Sequence, residues 1–323
     1  MSHPWHFWRI PWTVCNPKGN DFPVADGQNR VNTGYAVFMI RRDTDRGTIL
    51  INQHDHSRHC GEMARRLGNG LFASPLPFDA TVAAIAEHDC GWAAHDQWPA
   101  LNGRGLPAHV FEAEMATALD AWGKSVDQVV AGHPYAGLLV SLHTMALANR
   151  ASLREPEGAD ESSRQQAFRL RRFVHRQIEL QESLRDQLGM RIDLPLRGGL
   201  AEPGRSPEED LLRANFFLLE FLDQLSLNLC FDQLVFGRIE AVYPRPSEGP
   251  MGARIGREAN GAMRLDPWPF NSECVDLQVP ARSIRVGPYE NAEALKSAFD
   301  EAEPVVIGMR LCAWGSGGYH ASP

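Results

Sequence analysis

"EHDCGW", residues 87–92, sets a histidine beside an aspartate at the end of an apolar run and then stops on Gly91 and Trp92. The preceding "DATVAAIA" has helical spacing, with Asp79 in the N-cap position and Gly91 beyond the far end, so His88 and Asp89 fall in the last turn. The unsatisfied carbonyls of such an end are partially negative and stabilise a cation. Consecutive helical residues diverge by about 100° around the axis and cannot both face one protein neighbour squarely. A small ion lying between them is still within reach of both side chains.

Other helices carry polar groups on apolar faces. His56 in "DHSRHCGEMARRL" (55–67) has Cys60, Met63 and Leu67 at i+4, i+7 and i+11. His143 in "YAGLLVSLHTMAL" (135–147) has Leu139, Val140, Ala146 and Leu147 around it. Asp223 shares a face with Phe216, Leu219, Leu227 and Cys230, where a bare carboxylate would cost several kcal/mol or give up its charge. Taken singly, His56 and His143 read as hydrogen-bonded core residues, and Asp223 as the partner of an arginine. Four helices doing the same thing argue for one shared site. His54 and His59 flank that site or face solvent, either being a possible further ligand, and His95, Asp96 and His109 read as mouth residues or turn formers.

Around these motifs the chain reads as α+β. Residues 1–33 form an irregular leader. "YAVFMI" and "TILIN" flank "RRDTDRG" as a hairpin. Helices follow at about 55–67, 79–91, 110–122, 135–149 and 164–188. "SPEE" (206–209) is a capping box that opens a helix apolar on nearly every side in its second half. From 235 onward strands alternate with Pro- and Gly-rich loops, and one helix is expected at 291–301. The organisation expected is a single domain over 34–323, with a helical core at about 54–234 and a β-rich part at about 235–323. A two-stranded hairpin alone is marginal, so the hairpin and the C-terminal strands should form one β element against the helices.

Composition excludes several classes. A net charge of −8 and a pI near 5.8 give no broad basic surface for nucleic acid. The six cysteines are scattered without a Cys-x-x-Cys pair, which argues against a disulfide framework or a thiolate zinc site. No signal peptide and no membrane span is visible, so a cytoplasmic location is expected.

His56, then adjacent His88–Asp89, then His143 and finally Asp223 is an order that resembles the HD-domain superfamily of metal-dependent phosphohydrolases. More closely, "INQHDHSRHCGEMA", "EHDCGWAAHDQWP", "YAGLLVSLH" and "LDQLSLNLC" resemble the bacterial domain-of-unknown-function family 3891, from about residue 35 to the C-terminus. His95 stands where an aromatic residue is the family pattern. The resemblance implies an HD-like helical core and a divalent ion (Mn, Fe, Zn or Mg) on His56, His88, Asp89 and Asp223, with His143 and His133 as further candidates. It implies hydrolysis of a small phosphoester or nucleotide-like substrate, with these four residues catalytic. Alternatives are a di-iron oxygenase of the same type, which needs both His133 and His143, and a non-catalytic metal- or ligand-binding module. Trp92 should pack over or seal the site, and Arg58, Arg104 and Lys124 either meet a phosphate or lie on a solvated surface.

Overall fold

The computed structural model describes residues 39–152, 160–190, 206–232, 234, 238–258 and 261–314. The leader and residues 35–38 of the first expected strand lie outside this range.

The hairpin forms, with described strand continuing through Thr44, past the expected end of its first strand at residue 40. Strands β1 (Ile40–Thr44) and β2 (Gly47–Ile51) pair antiparallel, with Thr44 opposite Gly47 and only Asp45 and Arg46 between them. "RRDT" is thus strand rather than turn. The Thr44 hydroxyl accepts from the amides of Arg46 and Gly47 and so closes the tight turn that the longer loop was expected to make.

The helices are α1 (Gln53–Ala64), α2 (Phe78–Glu87), α3 (Met115–Gly132), α4 (Pro134–Ser152), α5 (Glu161–Leu188) and α6 (Pro207–Phe231). Several bounds depart from the sequence reading. α1 ends three residues early; α3 continues to Gly132 rather than stopping near 122; and α2 ends at Glu87, with Pro77 rather than Asp79 as its N-cap. α6 begins as read, its Ser206 hydroxyl accepting from the amide of Glu209 with Pro207 at the first position. Every residue from Leu219 to Phe231 is buried. Such a helix cannot lie on a surface, and α6 packs against α1, α2, α4 and the sheet.

The C-terminal part supplies β3 (Arg238–Val242), β4 (Met251–Arg257), β5 (Met263–Asp266), β6 (Cys274–Ile284), α7 (Ala292–Glu301) and β7 (Pro304–Ala313). With the hairpin they make one seven-stranded sheet, ordered β1-β2-β6-β7-β5-β4-β3 and antiparallel except between β5 and β7. Alternation along β6 turns Val275, Leu277, Val279 and Ala281 onto the helices, the period-2 pattern of a half-buried strand. The architecture is therefore α+β, and α1 and α6 lie against the sheet.

The reading of the cysteines needs correction. Cys274 and Cys312 are bonded in a disulfide. They are 38 positions apart in sequence but directly opposite in the β6–β7 register, and only the strand pairing brings them together. Among the described residues no helix is long and apolar enough to cross a membrane.

Candidate metal centre

The HD pair does not sit inside a helix, and this is what allows it to converge. His88 is the residue that caps the C-terminus of α2, and Asp89 leaves the helical region at φ −111° and ψ 17°. The 100° divergence of two helical neighbours no longer applies, and His88 Nε2 lies 3.5 Å from Asp89 Oδ2. A 3-10 turn, Cys90–Ala94, then leads the chain away. Gly91 is required here. A Cβ at this position would lie 2.1 Å from the carbonyl oxygen of Ala121 and 2.4 Å from the amide nitrogen of Ser125, while the Gly91 amide donates to Ser125 Oγ at 2.9 Å. The "GW" after "HD" is thus an anchor to α3, with Trp92 buried against Ala118 and Ala121.

Asp223, on the buried half of α6, is held by no arginine among the described residues. Its Oδ1 accepts from His56 Nε2 at 2.9 Å and lies 3.7 Å from His88 Nε2. The second distance is that of an ion pair rather than a hydrogen bond. His88 Nδ1 donates to the carbonyl oxygen of Ile85 at 2.8 Å, which fixes the ring and points Nε2 at the carboxylates. That buried Nε2 has no hydrogen-bond partner. Burial opposes a charge on His88, but Asp89 and Asp223 outweigh it and push its pKa up to about 9. Burial likewise opposes ionisation of Asp223, and the hydrogen bond from His56 together with the nearby His88 imidazole holds its carboxyl well below the usual range. His56 and His88 keep 1% and 0% of their side-chain exposure, Asp89 and Asp223 10% and 8%. The carboxylate side is therefore the side nearest solvent.

Four predicted residues, His56, His88, Asp89 and Asp223, are thus brought together from α1, the end of α2 and α6. His143 on α4 is beside them, its ring centroid 5.1 Å from that of His88. Its Nδ1 donates to Glu220 Oε1 at 2.5 Å, and Arg150 donates to Glu220 Oε2 at 2.8 Å. His133 is not part of the buried group: it is exposed, at the junction of α3 and α4, with Nδ1 accepting from the amide of Ala136. Proline at the entry of α4 turns the chain there and leaves the ring outside.

The histidines read as mouth or solvent residues are mostly interior. His95 Nε2 pairs with Asp120 at 3.0 Å, and His109 stacks on Phe231 with ring centroids 4.8 Å apart. The Asp96 carboxylate accepts from the amide of His54, in the first turn of α1. His54 itself pairs with Glu87 at 2.8 Å, and His59 is buried against Ser226. Of the candidate phosphate cations, Lys124 is paired with Asp120 at 2.6 Å, Arg104 lies 3.8 Å from Glu112, and Arg58 is exposed on α1.

Sequence reasoning passed over Cys60, Glu220, Arg150 and Ser226. Ligand atoms of His56, Cys60 and His88 all lie within 4.8 Å of one another, so a buried His-Cys-His group that could hold a metal exists where thiolate chemistry was set aside. Burial and then the nearby charge of Asp223 push the Cys60 thiol well above its ordinary pKa, and its sulfur lies 3.5 Å from the carbonyl oxygen of Leu222. A thiol held protonated is a poor metal ligand, whereas two carboxyl groups lie beside the same imidazoles. The missed signal was spacing: Glu220, Asp223 and Ser226 recur every three residues along one strip of α6.

The family model described as "Protein of unknown function (DUF3891)" matches residues 39–286, which includes every residue of this group but stops before α7 and β7. No curated protein and no solved structure matches the chain. With well over half of its length matched, the chain belongs to the family described as Protein of unknown function (DUF3891).

Proposed function

We propose that the chain is a metal-dependent hydrolase of a small phosphorylated or nucleotide-like molecule, of the HD-domain type. The observation that carries this reading is the buried, oriented and unpartnered Nε2 of His88, held 3.5 and 3.7 Å from two carboxylates, one of which also takes the Nε2 of His56. A donor left unpaired in the interior normally costs about 1–3 kcal/mol, so it calls for an explanation. Two imidazoles and two carboxylates fit a divalent ion such as Mn, Fe, Zn or Mg, and His56, His88, Asp89 and Asp223 would hold it. When bound, such an ion supplies Lewis-acid polarisation of a phosphoryl oxygen and lowers the pKa of water at neutral pH.

The chain's own groups would do the rest. The Ile85 carbonyl fixes the tautomer and direction of His88. Asp89 and Asp223 supply the negative charge that stabilises a cation beside it, and their side of the cluster, nearest solvent, is where a substrate would approach. The order His56, His88–Asp89, Asp223 adds the resemblance to HD-type enzymes. A di-iron oxygenase is less well supported, because the exposed His133 is not available to a buried second ion.

The test combines metal analysis of protein purified without added metal with a screen of phosphomonoesters, phosphodiesters and nucleotides against Mn, Mg, Zn and Fe(II). Asp89→Ala is run in parallel. One ion per chain and turnover lost together with the ion in Asp89→Ala are the expected results. Equal turnover in both proteins would place catalysis elsewhere. Bound metal without turnover in any assay would favour a binding module.

A further inference from the structure

His88 and His56 face the same carboxylate but are held from behind in different ways. His88 Nδ1 donates to a backbone carbonyl, an acceptor that cannot become a donor, so its tautomer is locked. His56 Nδ1 instead lies 2.8 Å from Ser226 Oγ, and the same hydroxyl lies 2.7 Å from His59 Nδ1. A hydroxyl gives one proton and accepts others, so this contact can run in either direction. Other partners of Ser226 Oγ are more distant, the His56 carbonyl oxygen at 3.4 Å and Cys230 Sγ at 3.9 Å. At the outer end His59 Nε2 is buried and has no hydrogen-bond partner. Nothing there pins the chain of bonds to one direction.

Without a metal the polarity follows from Asp223. Its carboxylate can only accept, so a neutral His56 carries its proton on Nε2 and accepts at Nδ1 from the Ser226 hydroxyl. Ser226 Oγ then accepts from His59 Nδ1, leaving a lone pair on His59 Nε2. A cation on His56 Nε2 requires a lone pair at that atom and the proton on Nδ1. The row then reverses: His56 Nδ1 donates to Ser226, Ser226 donates to His59 Nδ1, and His59 carries its proton on Nε2. In the reversal His56 Nε2 releases one proton to solvent on the carboxylate side as the cation enters. One proton passes from Ser226 to His56 Nδ1 and one from His59 Nδ1 to Ser226, whose hydroxyl then turns toward His59. His59 Nε2 takes one proton from water admitted by a transient opening of its buried end. Both rings end neutral and the number of bound protons is unchanged.

We propose that Ser226 and His59 are positioning residues that form a reversible hydrogen-bond relay behind His56, through which its Nε2 alternates between a proton for Asp223 and a lone pair for a cation. The relay rests on the metal reading, and it deepens that reading by separating a fixed ligand, His88, from an adjustable one. The unpartnered nitrogen of His59 belongs to this design, because a strong partner there would lock one direction.

The test has two parts. Long-range 1H–15N spectra of the imidazoles are recorded on the full chain without metal and with Zn, and Zn affinity is measured for wild type, Ser226→Ala and His59→Asn. Asparagine keeps a donor and an acceptor near the Nδ1 position and can turn over as the imidazole does. Expected are His59 protonated on Nδ1 without metal and on Nε2 with it, Zn binding about 10–100-fold weaker in Ser226→Ala, and His59→Asn near wild type. An unchanged His59 tautomer, or Ser226→Ala binding Zn as wild type does, overturns the relay and leaves the metal site standing. Wild type that binds no Zn overturns the metal reading and the relay with it. Should Ser226→Ala fail to fold, the wild-type spectra decide on their own.

Discussion

Two histidine–carboxylate clusters lie side by side in the core, their nearest rings 5.1 Å apart, and they are built to opposite ends. Around Glu220 both carboxylate oxygens are taken, one by His143 Nδ1 and the other by the Arg150 guanidinium. Burial works against the charge of Glu220, but Arg150 and His143 hold its carboxyl below the usual range. Among the described residues no arginine arrives at Asp223, and the buried Nε2 of His88 has no hydrogen-bond partner. The same residue types thus make a closed network in one place and an open one in the other. Where an arginine supplies the cation the cluster needs nothing further; where imidazoles alone supply it, a proton can be exchanged for an ion.

Breaking the closed cluster should have the largest effect on stability. Arg150→Met leaves Glu220 buried with one imidazole for a partner and should cost about 3–5 kcal/mol. Denaturant unfolding measures this, and Arg150→Met with Glu220→Gln should recover most of the loss. An equal loss in the double variant would mean that packing, not charge, holds this region. Next in size is the open cluster. Asp89→Asn should weaken divalent-metal binding by about 100-fold or more, roughly 2.7 kcal/mol, while leaving the metal-free fold close to wild type. In the same variant His88, no longer facing the Asp89 charge, should titrate well below about 9 in an NMR pH series.

Acid should act through buried histidines other than those that face Glu220 and Asp223. Burial, followed by the charge of Arg41, lowers His109 to about 3, so the folded chain keeps it neutral where the unfolded chain protonates it near 6.5. The unfolded state therefore binds the extra proton between those values, and stability falls as pH drops from about 6.5 toward 3. At pH 5 the loss is about 2 kcal/mol for this residue. His59, also lowered to about 3 by burial and then by His56, acts in the same direction. His88 acts oppositely: its contribution is complete below about 6.5 and is lost as pH rises through about 9. Thermal unfolding of wild type and His109→Gln at pH 7 and 5 checks the sign, the variant showing the smaller drop. The smallest effect expected is that of Cys60→Ala. With its thiol pushed up, Cys60 should stay protonated, so the substitution should change metal affinity by less than about 10-fold. Co(II)-loaded wild type should lack a thiolate charge-transfer band, and an intense one would make Cys60 a ligand.

The helices were legible wherever one residue's chemistry fixed a boundary, as Ser206 and Pro207 do for α6. They were less legible where helix and turn differ by small energies, as at the end of α2, where the reading carried the helix to about Gly91 and the chain leaves it after Glu87. That error mattered, because the break is what lets Asp89 turn toward His88. Likewise Asp223 was readable as a carboxylate needing compensation. Its compensation by imidazole, while Arg150 goes to Glu220, was not, since the two acidic residues share one strip of α6 and sequence spacing does not assign partners.

The sequence by itself determined the α+β composition, the buried course of α6 and the inward direction of His56, His88, His143 and Asp223, because burial periodicity and capping are local and each is written in a few neighbouring residues. Only the tertiary structure decided the order of the seven strands, the pairing of Cys274 with Cys312, the exclusion of His133 and the entry of Cys60, Ser226 and His59 into the site. Those outcomes depend on distances between atoms far apart along the chain. They are set by how helices and sheet pack against one another, for which no single stretch of sequence carries the information.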